Sequence, residues 1–152
     1  MSPPRGPLRR VLDAPEANVT VFAFLLNYPW EFLQAPLFRG MATAPHWEAV
    51  KFCTGATLGD AVIVVVAFWG VAAAAGNRRW ILVPSAAQIA GFVAIGLAIT
   101  LVLERLATGP LGRWAYAEGM PVVPLLGVGL SPVLQWILLP PLEVWLVRRQ
   151  LT

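Results

Sequence analysis

Four stretches of the chain are apolar for about twenty residues or longer: 19–38, 56–75, 81–103 and 122–147. A helix needs roughly 20 such residues to cross a hydrocarbon core of about 30 Å. The pattern predicts an all-α membrane protein. It is read as a four-transmembrane-helix bundle forming a single domain over 19–147, with a polar tail over 1–18 and a short end over 148–152. The stretches 61–75 and 81–103 hold no charged residue. The first and fourth spans hold prolines: Pro29 and Pro36, then Pro124, Pro132, Pro140 and Pro141. An interior proline removes one backbone donor and frees the carbonyl four residues earlier, which hydrocarbon cannot satisfy. Both helices are expected to be proline-kinked and to lie against the others.

Small residues recur at helical spacing. Ala86, Ala90, Ala94 and Ala98 do so in the third stretch, Gly55 and Gly59 at the start of the second, and Gly127 and Ser131 in the fourth. Small side chains let helices approach closely in lipid, so these rows are read as contacts that build the bundle. The segment 40–55 places Trp47, Val50 and Cys53 at helical spacing and predicts a short helix lying in the membrane interface. Trp114 and Tyr116 in 105–121 suit the headgroup level.

Charge sets the orientation. Arg5, Arg9, Arg10, Arg78, Arg79, Arg148 and Arg149 fall on one side of the predicted spans. Arg39, Lys51, Arg105 and Arg113 fall on the other. The excess of basic residues marks the cytoplasmic side, which puts both termini there. The apolar run after the tail continues past Tyr28 to Leu37, too long for a removed signal peptide, and Pro45 blocks cleavage after Ala42-Thr43-Ala44.

Composition agrees with the pattern. Of 152 residues, 58% are hydrophobic and 12% charged, and the mean hydropathy is +0.69. Average soluble domains carry roughly 25% charged residues, so water is the wrong solvent for most of this surface. One Cys (Cys53) and one His (His46) exclude an internal disulfide, a Cys/His metal cluster and a bis-histidine heme. No metal and no cofactor is called for. Despite a pI of about 9.8, the basic residues are scattered between apolar runs and form no face that tracks phosphates, so nucleic acid is excluded as a partner. The expected partner is the lipid bilayer, with a second membrane protein or a homo-oligomer left open. Arg far outnumbers Lys, and Ala, Gly and Pro are abundant, which reads as GC-rich bacterial coding. The expected location is the inner membrane, crossed several times.

The informative residues are the polar ones inside apolar spans. A carboxylate at the bilayer centre costs roughly 2.5–3.5 kcal/mol on insertion scales. Asn27, Glu31 and Gln34 follow i, i+4, i+7 spacing and share one helix face. Thr57 and Asp60 enter the second helix from the outer side, Thr100 and Glu104 leave the third there, and Ser131 and Gln135 return in the fourth. The candidate site is a polar pocket of Glu31, Asn27, Asp60, Gln135, Glu104 and Arg105, opening outwards, with Arg39 and Arg113 as further cations. A purely structural role is the simpler reading for Gln34, Thr57, Thr100, Glu104 and Ser131. Asn27 and Gln135 can also serve the carbonyls freed by Pro29 and Pro132, and Asp60 can serve its helix N-terminus. Glu31 favours function, because an acid between Asn-Tyr-Pro-Trp and Gln-Ala-Pro is a costly local arrangement. Glu143 is expected to snorkel towards Arg148 or Arg149.

No phosphate loop, dinucleotide fingerprint, His-Glu-x-x-His or Gly-x-Ser-x-Gly is present. Three functions fit what is left. The first is binding of a small ligand, or a proton-linked role, in the outer pocket. The second is an accessory or scaffold subunit of a larger membrane complex. The third is an intramembrane enzyme on a lipid or isoprenoid, with Glu31 and Asp60 as general acid and base.

Overall fold

Proline at a first helical position and glycine just past a last one mark out much of the chain. The structure is a computed structural model, which describes residue 6 and residues 11–152. It is mostly helical. Helix α1 is Pro15–Gln34, α2 is His46–Ala75, α3 is Ala86–Thr108 and α4 is Leu130–Leu151. Short 3-10 turns lie at Ala35–Leu37, Met41–Thr43 and Trp80–Leu82. Helix α1 packs on α2 and α4, and α3 packs on the same two. Helices α2, α3 and α4 are each long and apolar enough to cross a membrane. Helix α1 is less apolar, because Glu16, Asn18, Asn27, Glu31 and Gln34 fall within it.

The boundaries differ from those expected, and each difference has a local cause. The first helix starts at Pro15, inside the stretch expected to be tail, since proline suits the first turn and Asn18 Nδ2 donates to Leu12 O at 2.7 Å and Ala14 O at 3.0 Å. Residues 1–5 and 7–10 of the expected tail, including Arg5, Arg9 and Arg10, lie outside the described residues. Pro36 ends this helix early, at Gln34. Segment 46–55 is not a separate interfacial helix. It is the first part of α2, whose 30 residues reach about 45 Å at 1.5 Å per residue, well beyond a ~30 Å core. Helix α2 stops at Gly76 in the left-handed region (φ 60°), where Asn77 N–H reaches back to Ala72 O at 3.1 Å. Helix α3 starts at Ala86 and not at Ile81, because Ser85 and Gln88 form a capping box. Residues 122–129, expected to be the first turns of the last helix, form a small hairpin. There Val122–Val123 pairs antiparallel with Val128–Gly129. Pro121, Pro124, Gly127 and Gly129 disfavour a helix there.

The expected contact rows do not pack as their spacing suggests. Ala86, Ala90, Ala94 and Ala98 lie on the exposed face of α3, and Gly127 sits in the hairpin, off any helix. The inward face of α3 is Phe92, Gly96, Thr100 and Glu104. Gly96 is the close approach: a Cβ there would stand 1.8 Å from Cζ3 of Trp136, so the indole of α4 lies flat on the backbone of α3. Trp80 fills the other end of the core, with its ring 5.7 Å from Phe68 and 5.6 Å from Phe92, and its Nε1 donates to Phe68 O at 3.2 Å. Glu143 is buried (1% exposed) beside Val144 and Val147, so it does not snorkel. Arg148 instead donates to Leu82 O at 3.1 Å, and Arg149 lies over the Trp145 ring.

All four helices turn large apolar side chains outwards, among them Val21, Leu25 and Leu33 of α1, Val62 and Trp69 of α2, Val102 of α3, and Ile137 and Leu138 of α4. At one end, Glu16 pairs with Arg78 at 2.5 Å and ties the start of α1 to the α2–α3 turn. Arg78 holds the Glu16 carboxyl below its usual range.

Two outcomes follow. Gly96→Ala gains at most about 1 kcal/mol of helix propensity but overpacks the Trp136 ring, at a cost of about 1–3 kcal/mol. The overlap with three ring atoms puts the loss at the upper end, so thermal unfolding in detergent should drop well below wild type. Gly91→Ala, whose Cβ would meet Val71 at an ordinary 3.7 Å, should not drop. The Glu16–Arg78 pair stabilises the fold only while Glu16 is ionised. Its depressed carboxyl therefore contributes fully above the ordinary carboxylate range and is lost as pH falls through its lowered value. Wild type and Arg78→Gln should differ slightly in melting temperature at neutral pH and converge in acid.

Candidate functional site

Gln135 stands where α4 meets α1 and α2. Its side-chain amide Nε2 donates to Asn27 Oδ1 at 2.7 Å, to Asp60 Oδ2 at 2.8 Å and more weakly to Glu31 Oε1 at 3.3 Å. Gln34 Nε2 donates to Glu31 Oε1 at 2.6 Å and approaches Gln135 Oε1 at 3.4 Å. Ser131 Oγ donates to Gln34 Oε1 at 2.7 Å. Asn27, Glu31, Gln34 and Gln135 are all buried. The i, i+4, i+7 face of α1 thus meets Ser131 and Gln135, one turn apart on α4. Glu31 and Asp60 are thus brought to one and the same amide, that of Gln135.

Beside this cluster lies a cavity of about 580 Å³. Glu31, Gln34, Asp60, Thr100, Glu104 and Gln135 line it, with Phe38, Phe52, Ile63, Leu103, Trp114 and Pro132 as apolar wall. Gly55 and Gly59 also line it, and a Cβ on either would meet nothing within 4 Å. Their spacing suits a helix contact, yet here it makes a smooth wall. Lys51 and Arg113 line the cavity and are exposed.

Glu104 comes from α3 and is held by the loop that follows. Tyr116 Oη donates to Glu104 Oε2, and Trp114 Nε1 reaches the same oxygen at 3.4 Å. Burial, and then the bond to Glu104, push the Tyr116 hydroxyl above its usual range, so it stays protonated and donates. Tyr116 is positioned by a two-segment strap. Arg39 N–H donates to Ala115 O at 2.8 Å, Ala117 N–H donates to Leu37 O at 2.9 Å, and the Phe38 and Tyr116 rings stand 5.7 Å apart.

Of the six residues singled out from sequence, Glu31, Asp60, Gln135 and Glu104 line the cavity, and Asn27 supports it through Gln135. Arg105 is absent from the lining. One position on from Glu104, it points about 100° around the helix, and its Nη1 lies 2.6 Å from where a Cβ on Gly127 would stand. Arg39 joins the strap and is absent from the lining. Among the described residues no Arg or Lys forms an ion pair with Glu31, Asp60 or Glu104. Asn27 does serve a carbonyl, that of Ala23 at 2.7 Å, but not the one freed by Pro29. Gln34, Ser131 and Thr100, for which sequence favours a structural role, belong to the network or the lining. The shared face of Asn27, Glu31 and Gln34 already signals the first of them. Lys51, Trp114 and Tyr116 have no such signal, because only the folded loops bring them in.

Gln135→Leu keeps the volume and removes the shared donor. Each buried acceptor left unpaired costs about 1–3 kcal/mol, so unfolding in detergent should show a loss of at least about 2 kcal/mol. Ser131→Ala should lose about 1 kcal/mol. A Gln135→Leu protein as stable as wild type would refute the shared-donor role. Comparison with known protein families, with curated proteins and with solved structures gives no match for this chain.

Proposed function

We propose that this chain is a four-span bundle of a bacterial inner membrane, both termini cytoplasmic, whose carboxyl-lined cavity opens to the outer face and binds a small ligand. A proton held between Glu31 and Asp60 links binding to proton exchange. The observation that carries this reading is the gathering of Glu31, Asp60 and Glu104 around one cavity in a chain where only 12% of residues are charged. Amides alone would join the helices at lower cost than acids, which are expensive in hydrocarbon and mark functional positions. The first helix suits a fourth span despite its polar residues. Asn27, Glu31 and Gln34 are turned inwards, while Val21, Leu25 and Leu33 face out. Glu31 and Asp60 both accept from the amide of Gln135, and two bare carboxylates gathered there repel, which favours one proton shared between them. A ligand that competes for those oxygens displaces that proton.

The test uses Gly59→Cys in a Cys53→Ala background, because position 59 faces the cavity and Cys53 is the one native thiol. In intact cells a membrane-impermeant maleimide should label the introduced thiol from outside. A low-molecular-weight extract of the host cells should slow that labelling about tenfold, as expected when the free ligand stands at about ten times its Kd. Labelling only from the cytoplasmic side, or an extract without effect, would sink the reading.

A further inference from the structure

Three carboxyls line the cavity, and the donors bonded to them leave acceptor oxygens over. The donors that reach its acids converge on one oxygen of each: Glu31 Oε1, Asp60 Oδ2 and Glu104 Oε2. Glu31 Oε2, Asp60 Oδ1 and Glu104 Oε1 take no N–H or hydroxyl from the described residues. Glu104 lines the same cavity as both other acids. The protein offers them no counter-ion among the described residues. Lys51 lies nine residues, about 13 Å, from Asp60 along α2, and both Lys51 and Arg113 are exposed.

A second observation is independent of the acids. Thr100 lines the cavity, is 7% exposed, and its Oγ1 has no hydrogen-bond partner among the described residues. A helical threonine ordinarily bonds back to the carbonyl four residues earlier, as Thr20, Thr54, Thr57 and Thr108 do here. Thr100 leaves its hydroxyl unpaired within the cavity wall, and an unpaired buried hydroxyl costs about 1–3 kcal/mol. Beyond these polar atoms the walls are apolar, and Gly55 and Gly59 leave room along α2.

Resting on the ligand-binding reading above, we infer that the ligand is an amphipathic primary amine, its ammonium among the free oxygens of Glu31, Asp60 and Glu104 and its apolar body along the Gly55–Gly59 wall. An ammonium carries three N–H donors and no acceptor, and it brings a positive charge to acids with which no Arg or Lys among the described residues pairs. A carboxylate or phosphate ligand would meet three acids. A neutral alcohol would leave the acid oxygens largely unmet. The ammonium takes the place of the proton between Glu31 and Asp60, so that proton leaves as the amine enters and charge stays balanced.

The experiment compares phenylbutylamine, phenylbutanol and phenylbutyrate on the purified full-length chain in detergent, with affinities measured by calorimetry and proton release followed in weakly buffered solution. The amine should bind at least about tenfold more tightly than the alcohol, release protons, and outbind the carboxylate. Asp60→Asn and Glu104→Gln should each shrink the preference for amine over alcohol to within about threefold, and Gly59→Leu should abolish binding of the amine while the protein stays folded. Two acid variants are used so that, if one fails to fold, the other still decides the matter. An amine no better than the alcohol, or a carboxylate that binds best, overturns the amine assignment. If none of the three binds while the cell extract still protects the introduced thiol, the ligand class is wrong and the binding reading survives. If the extract also fails, both fall.

Discussion

The structure depends on how few hydrogen-bond donors an apolar interior can offer to many acceptors. One amide, that of Gln135, answers Asn27 and Glu31 on α1 and Asp60 on α2 from its own place on α4. Three helices are joined at a single group. In a low-dielectric interior such a bond is strong, and any member left unpaired is costly. The arrangement therefore fixes the rotation of each helix about its axis: turning α1 by one residue would carry Glu31 away from Gln135 by about 100°. The remaining acid oxygens exceed what this amide and Gln34 can reach, and the space beside them stays open.

Helix α3 joins the fold by different means. Among the described residues, no hydrogen bond runs from it to the cluster around Gln135. It is seated by shape, through the indole of Trp136 on Gly96, and by the loop that holds Glu104 through Tyr116 and Trp114. Three helices are fastened by polar bonds and the fourth by contact and a strap. The cavity lies along the side where α3 faces the others, lined by Thr100, Leu103 and Glu104.

Much of this is legible in the sequence because membrane solvation is a one-dimensional constraint. Long apolar runs announce helices, and polar residues within them announce an inward face, which is how Asn27, Glu31, Asp60 and Gln135 stand out. What resists reading depends on three dimensions. Arg105 follows Glu104 in the chain, yet helical geometry turns it to the Gly127 hairpin. The alanine row of α3 has the spacing of a contact, but spacing cannot say which face is turned in, and Phe92 and Gly96 take that place. Residues 122–129 are apolar enough for a helix, yet their prolines and glycines choose a hairpin. Gly55 and Gly59 have the spacing of close packing, and only the position of the neighbouring helices shows that nothing fills the gap.

The strap between segments 37–39 and 115–117 bears on how the chain assembles. Its two halves lie on opposite sides of α2 and α3 in the sequence, so both helices must form and pack before Arg39 can meet Ala115 and Ala117 can meet Leu37. Contacts between distant parts of a chain carry the loop-closure entropy of everything between them and form late. Tyr116 reaches Glu104 as part of that same closure. The wall of the cavity nearest α3 is thus completed in the last steps of folding, and the nascent chain has its helices before it has its site.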